Sequence, residues 1–192
     1  MKRSALIVTS IRHCTSAQET LRVQDTVAAL RRNGWEVDVL APVASPILAA
    51  TLSRDVRLFT IPRFLPCRRV AMFLRGVALA SGKRYTILHG FDEGAGIVRA
   101  IDRFMFKRLA YIAEVYHPEN VGRGTVANAS AIIVPDEATL SRFASPPPLA
   151  RVSILPEPHA ELADNAFTSA EFSAAIDGIY TYVLRIHPEI EQ

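Results

Sequence analysis

Histidine is the residue type in this chain best placed for chemistry. His13, His89, His117 and His159 each follow a short apolar run, and an imidazole changes charge near neutrality, so it can move a proton or bond a ligand. Other polar groups crowd the same places. Arg12 and Thr15 flank His13, Asp92 and Glu93 follow His89, and Glu119 follows His117. If the apolar runs are parallel strands, these groups collect at the carboxyl edge of one sheet, where loops diverge and helix N-termini face a ligand. Arg12, His13 and Thr15 would then hold an anionic group, and His89, Asp92 and Glu93 would present an imidazole and two carboxylates. The same residues suit plainer roles. Asp92 can cap a helix, and Glu93 in its first turn interacts favourably with the helix dipole by about 0.3–1 kcal/mol, so no metal site is expected.

The elements that must position these groups follow from the apolar spacing. Ala5-Leu6-Ile7-Val8-Thr9 is continuously apolar up to its final threonine, as befits a strand covered on both faces. A helix is predicted over 17–33, with Leu21, Val27, Ala28 and Leu30 inward, Arg22, Asp25, Arg31 and Arg32 outward, and Gly34 ending it. Strands are predicted at 37–40, 56–61, 85–89, 109–116, 131–134 and 152–155, with Pro62 closing the third. Further helices are predicted over 67–80, with Val70, Phe73, Leu74 and Val77 as its core stripe, and after Asp92, where Ile97, Ile101, Phe104 and Met105 recur. Asp136 caps a short helix. Thr168 and Glu171 form a capping box ahead of Phe172, Ile176, Ile179, Val183 and Ile186, a stripe that should dock on the main body. Gly178 within that helix costs about 1 kcal/mol relative to alanine, so docking is what sustains it.

Alternating strands and helices require a parallel sheet with right-handed crossovers. The expectation is an α/β Rossmann-like sandwich of seven parallel strands in the order 3-2-1-4-5-6-7, spanning residues 1–162, with a linker and docking helix over 163–192. A length of 192 residues and 49% hydrophobic content suit one such core. Twenty-two basic against 19 acidic residues give a net charge of +3, too mild for a nucleic-acid partner. Cys14 and Cys67 lack metal-ligand spacing, which fits reduced thiols and a cytoplasmic setting. The start resembles a signal peptide, but Thr9, Ser10 and Arg12 interrupt it, and it reads as the first strand. The apolar stretch over 39–52 is broken by Pro42 and Pro46 and predicts no membrane span. On the 67–80 helix a second face carries Arg68, Met72, Arg75 and Leu79. With Arg63, Phe64, Leu65 and Arg69 nearby, it could meet an anionic membrane at the inner face.

Familiar cofactors do not fit the loops. The turn after the first strand, Ser10-Ile11-Arg12-His13-Cys14-Thr15, has no glycine for a pyrophosphate, and the second strand ends in Ala41-Pro42 without an acid for a ribose. Walker and nucleophile-elbow motifs are also missing from the sequence. No cofactor is expected. The segments instead resemble the N-terminal, acceptor-side domain of GT-B glycosyltransferases, especially family 4 (group 1). The resemblance runs from Ala5 to about Leu162. Its clearest piece is Leu21-Arg22-Val23 with Leu30-Arg31-Arg32-Asn33-Gly34-Trp35-Glu36-Val37-Asp38-Val39-Leu40, like the family's first helix and second strand. Ile112-Ala113-Glu114-Val115-Tyr116-His117 is similar to its strand ending in histidine. Ala129-Ser130-Ala131-Ile132-Ile133-Val134-Pro135 and Val152-Ser153-Ile154-Leu155-Pro156-Glu157-Pro158 resemble later strands.

This resemblance implies that His117 approaches the donor sugar and is the candidate catalytic residue, with Glu119 among the substrate contacts. It also implies a second, nucleotide-binding domain, of which this chain has none: after Glu161 one helix remains, similar to the one that returns to the first domain. The expected function is acceptor binding, for a glycan or lipid-linked acceptor, with the donor domain on a partner or on a missing segment and no transfer by the isolated chain. The alternative is a non-catalytic module, derived from such a half, that binds glycan, nucleotide or protein. The family's first-loop glycine pair is absent, which sets the acceptor loop apart.

Overall fold

Seven short strands pair in parallel into one sheet of order β3-β2-β1-β4-β5-β6-β7, the predicted order. They are β1 (Ser4–Val8), β2 (Glu36–Ala41), β3 (Arg57–Thr60), β4 (Ile87–Phe91), β5 (Ala110–Glu114), β6 (Ala131–Val134) and β7 (Val152–Ile154). The structure is a computed structural model that describes residues 3–43, 45–52, 55–61, 67–83, 85–106, 109–156 and 168–188. His159, Glu161, Pro62, Arg63, Phe64 and Leu65, and the proposed 162/163 boundary, lie outside the described residues.

Successive residues of β1 alternate between two cores, as they must when helices cover both faces. Ala5 and Ile7 join one, Leu6 and Val8 the other. The first is roofed by α2 (Ala17–Arg32) and α8 (Ser169–Ile186), with the short α1 (Arg12–Thr15) and α3 (Pro46–Thr51) beside them. The second is roofed by α4 (Arg68–Gly82), α5 (Glu93–Phe104) and α6 (Arg123–Asn128), while α7 (Glu137–Ser141) follows β6. Among the described residues no helix is long and apolar enough to cross a membrane.

The C-terminal helix docks as its pattern predicts. Its capping box is complete, with the Glu171 amide donating to Thr168 Oγ1 and the Thr168 amide donating to the Glu171 carboxylate. Phe172, Ile176 and Val183 are buried against α2 and the sheet, together with Tyr180, which the predicted stripe omitted; Ile179 is partly buried, and Ile186, at the helix end, is exposed. Asn33 Nδ2 donates to Ser173 Oγ, and Ser130 Oγ lies 3.0 Å from His187 Nε2, so both ends of α8 are tied down.

Two predicted helix faces are wrong in part. In α2, Leu21 is exposed and Arg22 is fully buried, because α8 lies along the flank of α2 that Arg22 occupies and Glu114 waits beneath it. In α4 the buried stripe is Met72, predicted on the outer face, with Gly76 and Ala80; Phe73 and Val77 are partly buried against the same core as predicted, and Val70 and Leu74 are left in solvent. A Cβ on Gly76 would overlap Ile101 Cδ1 and touch Leu40 Cδ2. The small residues therefore let α4 approach the sheet and α5 closely, and that selects the stripe.

Candidate functional site

The loops after β1, β4 and β5 meet above the middle of the sheet. Their junction is Asp92. It holds φ +46° and ψ −114°, a backbone region that L-residues seldom occupy and that costs about 1–3 kcal/mol. Its Oδ1 accepts from the amides of Tyr116 (2.8 Å) and His117 (2.9 Å), so the loop after β5 is hung from the loop after β4. Asp92 precedes α5, yet its side chain makes no cap bond there. The predicted capping role is replaced by this cross-loop tie. Burial pushes its carboxyl above the ordinary carboxylate range, although the two amides oppose that.

His13 sits in α1, its ring buried between Phe91 (centroids 4.9 Å apart) and Tyr116 (5.5 Å). Its Nδ1 is 2.8 Å from Ser10 Oγ, 3.6 Å from a Glu19 oxygen and 3.9 Å from Asp92 Oδ2. Burial dominates over the nearby Glu114 charge and lowers its pKa to about 4. At neutral pH it is an uncharged support for the loop.

His117 is the solvent-facing imidazole of the cluster, with 22% of its side chain exposed. Its Nε2 is 3.2 Å from Arg12 Nη1 and 3.5 Å from Glu19 Oε1, and its Nδ1 is 3.5 Å from Glu119 Oε1. A guanidinium has only donors and a carboxylate only acceptors, so Arg12 calls for a lone pair on Nε2 while Glu19 calls for a proton there, and the two compete for the one nitrogen. Glu119 is held in turn by Arg142 at 2.9 Å. The result is an imidazole framed by two carboxylates and a guanidinium at the mouth of the sheet. Such a group can take a hydroxyl proton or hydrogen bond once Arg12 swings aside, while the carboxylates accept bonds from further hydroxyls.

Of the predicted contacts, the structure gathers Arg12, His13, Asp92 and Glu119 around His117. It does not gather the others. His89 is not at the edge: β4 begins two residues later than predicted, so His89 lies mid-strand and fully buried. Glu93 turns to Arg69 of α4 at 3.5 Å. Thr15 Oγ1 donates to the Ile11 carbonyl of its own turn. Among the described residues no group of three or more His, Cys, Asp or Glu is placed to hold a metal ion.

Beneath the site lies a buried polar network that the pattern analysis missed. Arg22 Nε donates to Glu114 Oε1 at 2.6 Å, and Tyr116 Oη donates to the same oxygen at 3.0 Å. His89 Nε2 is 3.0 Å from Glu114 Oε2, and His89 Nδ1 is 2.8 Å from the hydroxyl of Tyr180 in α8. Burial alone would raise the Glu114 carboxyl, but Arg22 and His89 more than reverse this and hold it at about 2. One signal for this network was present: a carboxylate, Glu114, inside the apolar run of β5. Glu19, in the first turn of α2, gave no such signal.

No protein-family model matches the sequence, and no curated protein matches it. Solved structures do match. MurG of Acinetobacter baumannii aligns with a TM-score of 0.61 at 12% identity over 85% of this chain and 47% of its own. Anabaena Alr3699/HepE, solved with UDP and glucose, aligns at 0.57 and 14% identity over 80% of this chain and 44% of its own. The chain thus spans about half the length of either. Sucrose-phosphate synthase of Thermosynechococcus elongatus, as a chain numbered 27–220 and 406–426, aligns at 0.57 and 14% identity over 95% of this chain and 99% of its own. Together with the sheet order and the docked C-terminal helix, these likenesses show a Rossmann-like fold matching one half of a GT-B glycosyltransferase.

Proposed function

We propose that this chain is the acceptor-side half of a GT-B glycosyltransferase of the family 4 kind, and that it transfers sugar only beside a donor-binding domain. That domain would belong to a partner or to a longer form of the protein. The observation that carries the reading is the His117 cluster: a partly exposed imidazole held by Asp92, Arg12 and Glu119 at the ligand-binding edge of the fold. In this scheme the acceptor hydroxyl, from a glycan or a lipid-linked sugar, displaces Arg12 and bonds Nε2 of His117. Glu119 keeps the Nδ1 proton in place, and Arg12 turns to an anionic part of the ligand. The electrostatic stabilisation of a leaving nucleotide comes from the donor domain, and that contribution is usually the largest in such chemistry.

One observation favours a second reading, a non-catalytic module for glycan, nucleotide or protein: Arg12 Nη1 already lies 3.2 Å from Nε2, the atom on which a base would act. A two-part experiment separates them. The isolated chain is assayed with nucleotide sugars, and transfer is then measured for the chain with its donor domain, as wild type and as His117→Ala. The proposal expects no turnover alone and a loss of about 10²–10⁴-fold in the variant with acceptor binding kept. Turnover by the isolated chain refutes the split; unchanged turnover in His117→Ala refutes the role of His117; acceptor binding with no transfer in any combination supports the second reading.

A further inference from the structure

We propose that the outer face of α4 and α5 is a docking surface for an anionic lipid bilayer. The inference is independent of the sugar-transfer reading. It begins from the stripe that α4 leaves outside: Val70 is 54% exposed and Leu74 60%. Phe104 at the end of α5 is 57% exposed, and Phe73 bridges the two helices by an edge contact with its ring at 5.8 Å. Phe106, just beyond, is 85% exposed and holds a left-handed φ of +58°, a conformation that glycine or asparagine takes more readily. Single exposed apolar residues are ordinary on a protein surface, but a cluster across two packed helices marks an interaction face.

The charge around this strip selects the partner. α4 carries Arg68, Arg69 and Arg75 and no Asp or Glu, and Arg103 is exposed in the last turn of α5. Of the two carboxylates in α5, Asp102 is buried, and Glu93 is already engaged by Arg69 at 3.5 Å. The guanidinium of Arg75 stands over Phe59 at 5.4 Å on the opposite flank. A rigid apolar strip bordered by arginines fits a surface that is apolar within and anionic at its headgroups: the side chains enter the acyl boundary and the guanidiniums meet phosphates. A groove of about 390 Å³ between α4 and α5 runs from Val70 and Phe73 to Asn120, three residues past His117. The face therefore opens beside the candidate site.

The test is co-sedimentation with vesicles of phosphatidylcholine alone or with about 30% phosphatidylglycerol. Binding to the anionic vesicles is expected, weakened at least tenfold by Arg69→Glu with Arg75→Glu and by raising salt to about 0.5 M. Leu74→Ser with Phe104→Ser and Phe106→Asn should also weaken it at least tenfold; asparagine suits the backbone at 106, and circular dichroism verifies the fold of each variant. The proposal fails if neither vesicle binds, if both bind equally, or if either set of substitutions in a folded protein leaves binding intact. It also fails if the strip instead pairs two copies, seen as a concentration-dependent dimer that the serine and asparagine variants abolish.

Discussion

Replacing Arg22 by methionine should cost about 3–5 kcal/mol, the effect of leaving a buried carboxylate without its partner. Arg22 and Glu114 are both fully buried, with 2.6 Å between Nε and Oε1. A second route gives a similar size. Glu114 is held at about 2 against an ordinary 4.5, by Arg22 and His89 overriding the upward push of burial; at 1.36 kcal/mol per pH unit this is about 3 kcal/mol. Methionine also forfeits the bond from Nη1 to the Pro156 carbonyl and the guanidinium stacked 4.3 Å over Phe172. Since a domain of this size has only about 5–15 kcal/mol in all, urea denaturation should show a large midpoint shift, and melting should fall by about 10 °C. The pH dependence tests the cause. Glu114 has a depressed folded pKa, so its contribution is full above about 4.5 and is lost as pH falls to about 2. In Arg22→Met the protonated carboxyl is the less costly form, so the gap between the two proteins should close over that range. Adding Glu114→Gln to Arg22→Met should recover at least about 2 kcal/mol. A cost under about 1 kcal/mol at neutral pH, or a double variant whose losses simply add, would refute the reasoning.

His13, held at about 4 mainly by burial, should make stability fall by up to about 3 kcal/mol as pH drops from 6.5 to 4; urea melts across that range should slope for the wild type and flatten for His13→Gln. Gly94→Ala should destabilise by about 1–3 kcal/mol, since its Cβ would press on the Val8 carbonyl that closes β1. Gly178→Ala, whose Cβ meets nothing within 4 Å in α8, should stabilise by up to about 1 kcal/mol in the same melts. Ending the chain at Pro156 removes the burial of Phe172, Ile176, Tyr180 and Val183, about 6–12 kcal/mol at 1.5–3 each; calorimetry should then show no cooperative transition.

The sheet was legible because its evidence is local. Strands such as Ala131–Val134 are apolar from end to end, and only burial on both faces allows that, which points to a parallel sheet. The fate of a polar residue depends on partners distant in sequence, and there the pattern was silent. Arg22 and Leu21 are neighbours, so either could face inward on an isolated helix. Glu114, 92 residues on, and α8 decide it. The β4 boundary slipped for a related reason. The apolar run ends at His89, yet Gly90 and Phe91 continue the strand, and glycine is required at 90 because a Cβ there would strike the backbone of Ala95 in α5. That two-residue shift takes His89 from the edge into the core and leaves His117 as the imidazole at the mouth. In α4 the pattern pointed to Val70, Phe73, Leu74 and Val77, because hydrophobic periodicity ranks the larger residues first. Close packing chose the smaller, Gly76 and Ala80, because they admit Ile101 and the sheet. Val70 and Leu74 were thereby turned outward among arginines, so the error in the sequence reading and the apolar face of α4 have one physical origin.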